Sequence, residues 1–411
     1  MARAALLLGV ETTAAECVVR AAERLDVSVH VATHRELYAR RRPQTRSELS
    51  GVVFTDFSSA EQAVDQLAEY CGRQGIEAVA VSGAQFSPLA ASLAGRLGAP
   101  GNVADLAAAT RNKWQMAQAL QRHGVPSART VALVSPEAAE RRLAAAGLDY
   151  PVVVKPVENT GSVGVSVMQG PKELGPAVRR ALTHTTDPVY GLAYDTVALA
   201  QEYLEGPEYS LVSVVHEGAS THSVLTRKYT TQGREREETG YTVPPDLDEL
   251  TAARAAGIVL RGLRALGLRN GIAHTDFKLT PDGPVLIEVD AGPPDGALLQ
   301  TIRHATGVDL AEAYVQAVLG EEPRVRPVRS GAAALRFINT AAHGTFRGLT
   351  GLGVSPHLAA ARSYVDPGEL VGGNAVTHTR VGHVIVTGGT AAEADRRAED
   401  VMTLVACDVE A

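Results

Sequence analysis

Short apolar runs alternate with amphipathic stretches through the first 110 residues, and few folds accept that rhythm. Ala4–Val10 is one continuous apolar run, which suits a strand buried on both faces of a parallel sheet. Val27–Thr33, Gly51–Thr55 and Ile76–Ser82 repeat the signal, and helical spacing at Ala14–Leu25, 59–73 and 87–97 separates them. This alternation predicts a small doubly wound sheet. The turn after the first run, Gly9-Val10-Glu11-Thr12-Thr13, lacks Gly-x-Gly-x-x-Gly, so a nicotinamide site is not supported.

Helical signals over 111–148 are broken by Gly124-Val125-Pro126, which starts an extended segment. Thr226–Leu250 is polar, charged and proline-containing, and reads as a long mobile loop. Glu322–Ser330 reads as a linker. Strand patterns return at Ala332–Ile338 and Gly382–Val386, with a helix near 391–403. A length of 411 residues suggests two or three domains, and 45% hydrophobic with 21% charged residues excludes a disordered chain. The net charge of −7 weighs against a nucleic-acid binder. Cys17, Cys71 and Cys407 are too far apart for a disulfide scaffold or a structural zinc site. The apolar start is too short for a signal peptide and no long apolar run follows, so a cytoplasmic protein without a membrane span is expected.

Three constellations carry chemistry. The first is Pro151-Val-Val-Val-Lys155-Pro156, followed by a Gly/Ser turn from Glu158 to Val165. A lysine at a strand end and a glycine-rich turn suit phosphate, and equally suit a plain hairpin with a surface lysine. The second is Gln201-Glu202-Tyr203-Leu204, with Glu208 four residues on. An extended connector can hold a flat base at its edge and a carboxylate can accept two ribose hydroxyls; an ordinary turn is the other reading. The third is His274-Thr-Asp276, a Pro281-Asp282-Gly283 turn, then Glu288-Val-Asp290. Glu288 and Asp290 share a strand face. Three facing carboxylates are costly without a cation, and all-oxygen ligation suits magnesium. A solvent-facing acidic hairpin is the alternative, disfavoured by the apolar Leu286, Ile287 and Val289.

In this order the three resemble the ATP-grasp superfamily over about residues 111–300. The resemblance implies an α/β (α+β) chain: an ATP-grasp fold preceded by a Rossmann-like domain and followed by a C-terminal α+β subdomain. The expected division is 1–110 (Rossmann-like), 111–195 (central or lid subdomain with a helical linker), 196–325 (metal and nucleotide subdomain) and 326–411 (C-terminal). It implies Lys113 and Lys155 as the phosphate lysines and residues 158–165, with Ser162 and Gly164, as the phosphate-covering loop. Gln201, Glu202, Tyr203 and Leu204 match the adenine hinge and Glu208 the ribose carboxylate. Asp276, Glu288 and Asp290 match the ligands of magnesium, or manganese.

Within the superfamily the chain looks most like amino-acid (dipeptide) ligases. His274-Thr-Asp276, Glu238-Thr-Gly-Tyr241-Thr-Val-Pro244 and a tail running from Ala334-Leu-Arg336-Phe-Ile to Arg380-Val-Gly-His-Val-Ile carry that likeness. The implied reaction is ATP-dependent amide formation through an acyl phosphate, between a small carboxylate and an amine, releasing ADP and phosphate. His274 is assigned to the intermediate or the carboxylate, with a core histidine as the equal alternative. Glu238 and Tyr241 are guesses for the amine side, and the resemblance makes a homodimer one expected assembly. Residues 158–165 and 226–246 are the lid candidates. A departure stands at Gly292, where the family pattern Glu-x-Asn-x-Arg-x-x-Gly carries arginine. Arg227, Lys228, Arg303 and Arg336 are the candidates to replace it. Rival readings are a ligase of the same fold on a purine-pathway or bicarbonate substrate, and a silent nucleotide-binding protein. The basic run Arg40-Arg41-Arg42, with Arg35 and Arg46, reads as solvated surface.

Overall fold

The computed structural model describes residues 3–40, 48–159, 161, 163–326, 328, 331–353, 355–372 and 379–411. Ser162 and most of the basic run, from Arg41 through Arg46, lie outside the described residues.

The N-terminal strands are β1 (Arg3–Leu8), β2 (Val27–Thr33), β3 (Gly51–Phe54) and β4 (Ala78–Val81). They form a four-stranded sheet in the order β3-β2-β1-β4, parallel throughout. Helices Thr13–Arg24 and Ala60–Gln74 connect strands of it, Ser87–Leu97 follows β4, and Leu6, Leu7 and Leu8 are wholly buried between the layers. The uninterrupted apolar runs are thus those of a two-faced parallel sheet.

A second four-stranded sheet holds β5 (Thr130–Leu133), β6 (Val152–Pro156), β7 (Ser166–Met168) and β8 (Ala198–Glu202), in the order β5-β8-β6-β7. Helices Ala139–Ala145 and Pro171–Ala181 cover it. β8 lies past the expected boundary at 195 but pairs with β5 and β6, so it closes this sheet rather than opening the next. The segment before it reaches back to the N-terminal layer. Asp187 accepts from the amides of Val189 and Tyr190, and the Tyr190 hydroxyl accepts from the Val10 amide at 3.0 Å. The Tyr190 ring stands edge-on to Phe57 and Phe86.

The largest sheet has eight strands in the order β13-β12-β9-β10-β11-β14-β18-β16. They are β9 (Glu208–His216), β10 (Ala219–Thr230), β11 (Glu238–Val243), β12 (Gly271–Thr280), β13 (Gly283–Asp290), β14 (Ala332–Thr340), β16 (Leu358–Ser363) and β18 (Thr379–Gly388). The C-terminal block therefore extends this sheet, and adds a small one of β15 (Gly344–Thr350), β17 (Leu370–Val371) and β19 (Ala406–Glu410). Helix Glu249–Ala265 packs beneath β9, β12 and β13, and helices Gly296–Thr306 and Leu310–Val318 join the opposite face to the N-terminal domain.

The structure corrects the mobile-loop reading of Thr226–Leu250. Thr226–Thr230 belongs to β10 and Glu238–Val243 is β11, both inside the eight-stranded sheet. Polarity misled because only Val224, Tyr241 and Val243 of this hairpin are buried in the apolar core, and most of the rest meets polar partners. Lys228 faces the carboxylates of the site, while Arg227 and Tyr229 face the other way. So few apolar positions leave little alternation to read; the Thr, Tyr and Val content was the remaining strand signal. Among the described residues no helix is long and apolar enough to cross a membrane.

Candidate active site

Register places the functional side chains. Across the large sheet Glu288, Asp276, Ser210 and Thr226 lie in one row, and Lys278, Glu208, Lys228 and Tyr241 in another. Residues two apart along a strand share its face, so Asp290 and His274 continue the same surface one step on. A bulge between Tyr229 and Thr230 sets Glu238 opposite Thr230 and Tyr241 opposite Lys228. It thereby turns two residues three apart to the same side. β6, with Lys155, and the turn after it roof this surface, and Gln201–Leu204 forms the hinge between roof and floor.

The floor is a lattice of buried charges. Lys113 Nζ lies 2.7 Å from Glu288 and donates to the Asn159 carbonyl at 2.8 Å. The Asn112 carboxamide oxygen accepts from the amides of Trp114 and Gln115, so Lys113 opens helix Lys113–Arg122 in a fixed direction. Lys228 pairs with Asp276 and lies 3.4 Å from Glu208 and 3.7 Å from Glu238. Ser210 donates to the other Asp276 oxygen at 2.5 Å.

These contacts decide the protonation states. Burial works against the Asp276 carboxylate, but Lys228 and then His274 outweigh it and hold the pKa at about 2. Burial opposes Glu288 too, and Lys113 and Lys155 keep it below the usual range. Asp290 goes the other way: burial and then the Glu288 charge push it up to about 8. Burial also lowers Lys155, with Glu288 opposing and Lys113 reinforcing.

The hinge is braced from both sides. Lys278 donates to the Leu204 carbonyl at 2.9 Å and stands 4.9 Å from the Tyr203 ring centre. Arg236 donates to the Tyr203 hydroxyl at 2.7 Å. The Glu202 carboxylate accepts from the Arg129 amide and side chain, and the Gln201 amide group donates to Thr130 at 3.1 Å. Glycines 161 and 164 adopt φ of +66° and +79°, and a Cβ at Gly164 would stand 2.8 Å from the Pro156 ring.

Most sequence-derived candidates meet in one cavity: Lys113, Lys155, Gln201 to Leu204, Glu208, Glu238, His274, Asp276, Glu288 and Asp290. Tyr241 is buried beside it, its hydroxyl donating to Glu238 and its ring 6.2 Å from that of His274. Three of the candidates for the missing arginine are displaced. Arg336 pairs with Asp395 and Glu399 and faces the opposite side of the sheet, because it stands opposite Gly240 and so alternates with Tyr241. It is a cross-layer tie, not a catalytic group. Arg227 shares that face, its guanidinium 4.9 Å from the Tyr209 ring centre and 5.7 Å from that of Tyr229. Arg303 pairs with Asp309 in helix Gly296–Thr306 and its neighbourhood. Lys228 is the candidate that reaches the site. Sequence reasoning missed Arg380, Lys278 and Arg236, which also line the cavity.

Behind Arg380, His383 is fully enclosed, with Nδ1 2.8 Å from the Tyr364 hydroxyl. Burial, and then Arg362 and Arg380, lower its pKa from 6.5 to about 4. The folded chain therefore takes this proton later than the unfolded chain. Stability is full above pH 6.5 and falls as the pH drops toward 4. The span corresponds to at most about 3.5 kcal/mol at roughly 1.4 kcal/mol per unit. His383→Gln is expected to flatten that part of the stability–pH curve. Urea unfolding of both proteins at neutral and acid pH checks it, and parallel curves would refute it.

Residues 148–299 match the family described as ATP-grasp domain, and residues 336–410 match L-amino acid ligase C-terminal domain 2. The fold is similar to that of L-amino acid ligase from Bacillus licheniformis, with a TM-score of 0.83 and 21% identity over 100% of this chain and 99% of that one. Among curated proteins, an uncharacterized protein, y4rH, of Sinorhizobium fredii is 28% identical over 69% of this chain and 58% of its own length. Dapdiamide A synthase of Enterobacter agglomerans is 28% identical over 53% of this chain and 50% of its own. The chain thus spans about half the length of these curated relatives. Together with the geometry, the two family matches show that the chain carries an ATP-grasp domain joined to an L-amino acid ligase C-terminal domain.

Proposed function

We propose that the protein is an ATP-dependent carboxylate–amine ligase that uses an amino acid. The observation that carries this reading is the facing of Lys113 and Lys155 with Glu288 and Asp290 in one cavity bounded by a hinge and a glycine-containing turn. Lys113 and Lys155 hold the phosphates, the Gln201–Leu204 edge holds the base, and Glu208 takes the ribose. Gly161 and Gly164 let the turn after β6 approach the phosphates. That turn is the lid that excludes water from the acyl phosphate.

The donor set suits magnesium only in part. Among the described residues no group of three or more His, Cys, Asp or Glu is arranged to hold a metal ion. Asp276 is engaged by Lys228 and Ser210. Asp290, pushed up by burial and then by Glu288, is the carboxylate on which a further positive charge is favoured. Two carboxylates plus phosphate oxygens and water are a usual magnesium set, so Glu288 and Asp290 would hold the ion, with Asp276 behind them. When bound, the ion supplies charge neutralisation at the phosphates.

The chain's own groups then do the positioning. A substrate carboxylate oxygen attacks the γ-phosphorus, the bond to ADP breaks, and Lys155 and Lys113 balance the charge. The amine nitrogen next attacks the acyl carbon. The carbon–oxygen bond to phosphate breaks, the nitrogen loses a proton, and an amide and phosphate leave. His274, whose buried Nε2 makes no hydrogen bond but lies 3.5 Å from Asp276, lines this chamber and is assigned to donate to the tetrahedral oxygen. The free thiols Cys17, Cys71 and Cys407 support a cytoplasmic setting.

The test is phosphate release from Mg-ATP over a panel of single amino acids and pairs, with product mass as the second readout. Release that requires a pair and yields a new amide is expected. Release that is independent of any added acid or amine would refute the ligase.

A further inference from the structure

Gly292 lacks the arginine expected at that position, and the structure shows why none fits. A Cβ there would lie 2.9 Å from the Ala84 amide nitrogen and 3.1 Å from the Gly83 carbonyl carbon. Both are backbone atoms of the loop after β4, so the N-terminal domain occupies the space. Gly296, in the same segment, packs as closely on Thr13. Any guanidinium in the site therefore comes from elsewhere in the fold.

Arg380 on β18 lines the same cavity as His274, Glu288 and Asp290. Its guanidinium lies over the Phe337 ring, 3.5 Å from the centroid, which fixes its plane. Among the described residues its hydrogen bonds run from Nη2 alone, to the Glu238 carbonyl at 3.2 Å and carboxylate at 3.3 Å. These are long contacts, and no other described residue hydrogen-bonds the planar fork, whose geometry suits a carboxylate. Glu238 in turn faces Lys228 at 3.7 Å and accepts from Tyr241. A cation and an anion 3.3 Å apart on one cavity wall match a molecule carrying both charges.

Resting on the ligase reading, we infer that Arg380 binds the carboxylate of the acyl-donor substrate while Glu238 binds its ammonium group. The donor is therefore a free α-amino acid. The Arg380–Glu238 contact opens to admit it and is replaced by two ion pairs with the zwitterion. Arg380 then stays on the carboxylate as its other oxygen takes the phosphoryl group. The specificity-determining guanidinium thus comes from the C-terminal domain, which makes that domain part of the donor site.

The experiment uses the full chain, the twenty proteinogenic L-amino acids as donors and acceptors, and for the best donor its analogue lacking the α-amino group. Arg380→Ala is expected to raise KM for the donor at least about tenfold, the size of a lost charged hydrogen bond. KM for the acceptor and for ATP should stay within about twofold, with partial rescue in Arg380→Lys, since lysine keeps charge without the fork. Glu238→Gln should narrow the preference for the amino acid over its deaminated analogue. ADP binding by calorimetry reports that each variant is folded. An unchanged donor KM in Arg380→Ala, or a rise confined to the acceptor, overturns this inference while leaving the ligase intact. Absence of amide from every amino acid with the unaltered protein overturns both.

Discussion

Replacing Glu288 by glutamine should lower amide formation about 10²–10³-fold, the usual loss when a preorganised charge at the reacting phosphates is removed. Glu288 is the hub of the floor. It lies 2.7 Å from Lys113 and helps keep Lys155 charged, and its charge adds to burial in pushing Asp290 up to about 8. Glutamine preserves shape and removes all three effects. Asp290 should then lose one of the influences that raise it, burial remaining the larger, and Lys113 stays beside it as a cation, so the chain should remain folded and bind ADP. The magnesium concentration for half-maximal rate should rise, because one of two oxygen donors loses its charge. Steady-state phosphate release against magnesium, with calorimetric ADP binding as the folding control, decides the matter. Turnover within threefold of the parent would exclude Glu288 from the site proposed for the ion.

The parts of this site legible in the sequence were those whose chemistry is compressed into a few residues. Lys155 stands at the end of an apolar strand before a glycine turn, and Glu288 and Asp290 flank the buried Val289. Local spacing already fixes which side chains share a face. Arg380 and Lys228 were harder, since neither has a local signal. Arg380 reaches the cavity only because β18 pairs with β14, which pairs with β11, and that pairing order is a property of the sheet. Arg336 misled for the same reason. It sits in a strand at the right place in the fold, and only its register against Gly240 reveals that it points away. The N-terminal sheet was legible because both its faces are apolar; the β10–β11 hairpin was not, because only Val224, Tyr241 and Val243 of it are buried in the apolar core and most of the rest faces polar groups.

Lys228→Met should destabilise the protein by about 3–5 kcal/mol, the cost of leaving a buried charge without its partner. Lys228 is the cation for Asp276 and sits beside Glu208 and Glu238. Asp276 is the most dependent of the three, since Lys228 is the largest influence holding its pKa at about 2 against burial. The Ser210 hydroxyl satisfies one oxygen but brings no charge. The methionine replaces the stem of the lysine at similar volume, so packing loss is small and the effect is electrostatic. Removing the stranded charge as well, in Lys228→Met/Asp276→Asn, should recover most of the loss, because a neutral pair needs no cation. A chain of several layers need not unfold in one step, so hydrogen exchange of the β9, β10 and β12 amides is the measurement, read against the parent. A single variant as protected as the parent would show that solvent, not Lys228, balances Asp276. A double variant no better than the single would show that the lysine acts through packing rather than charge.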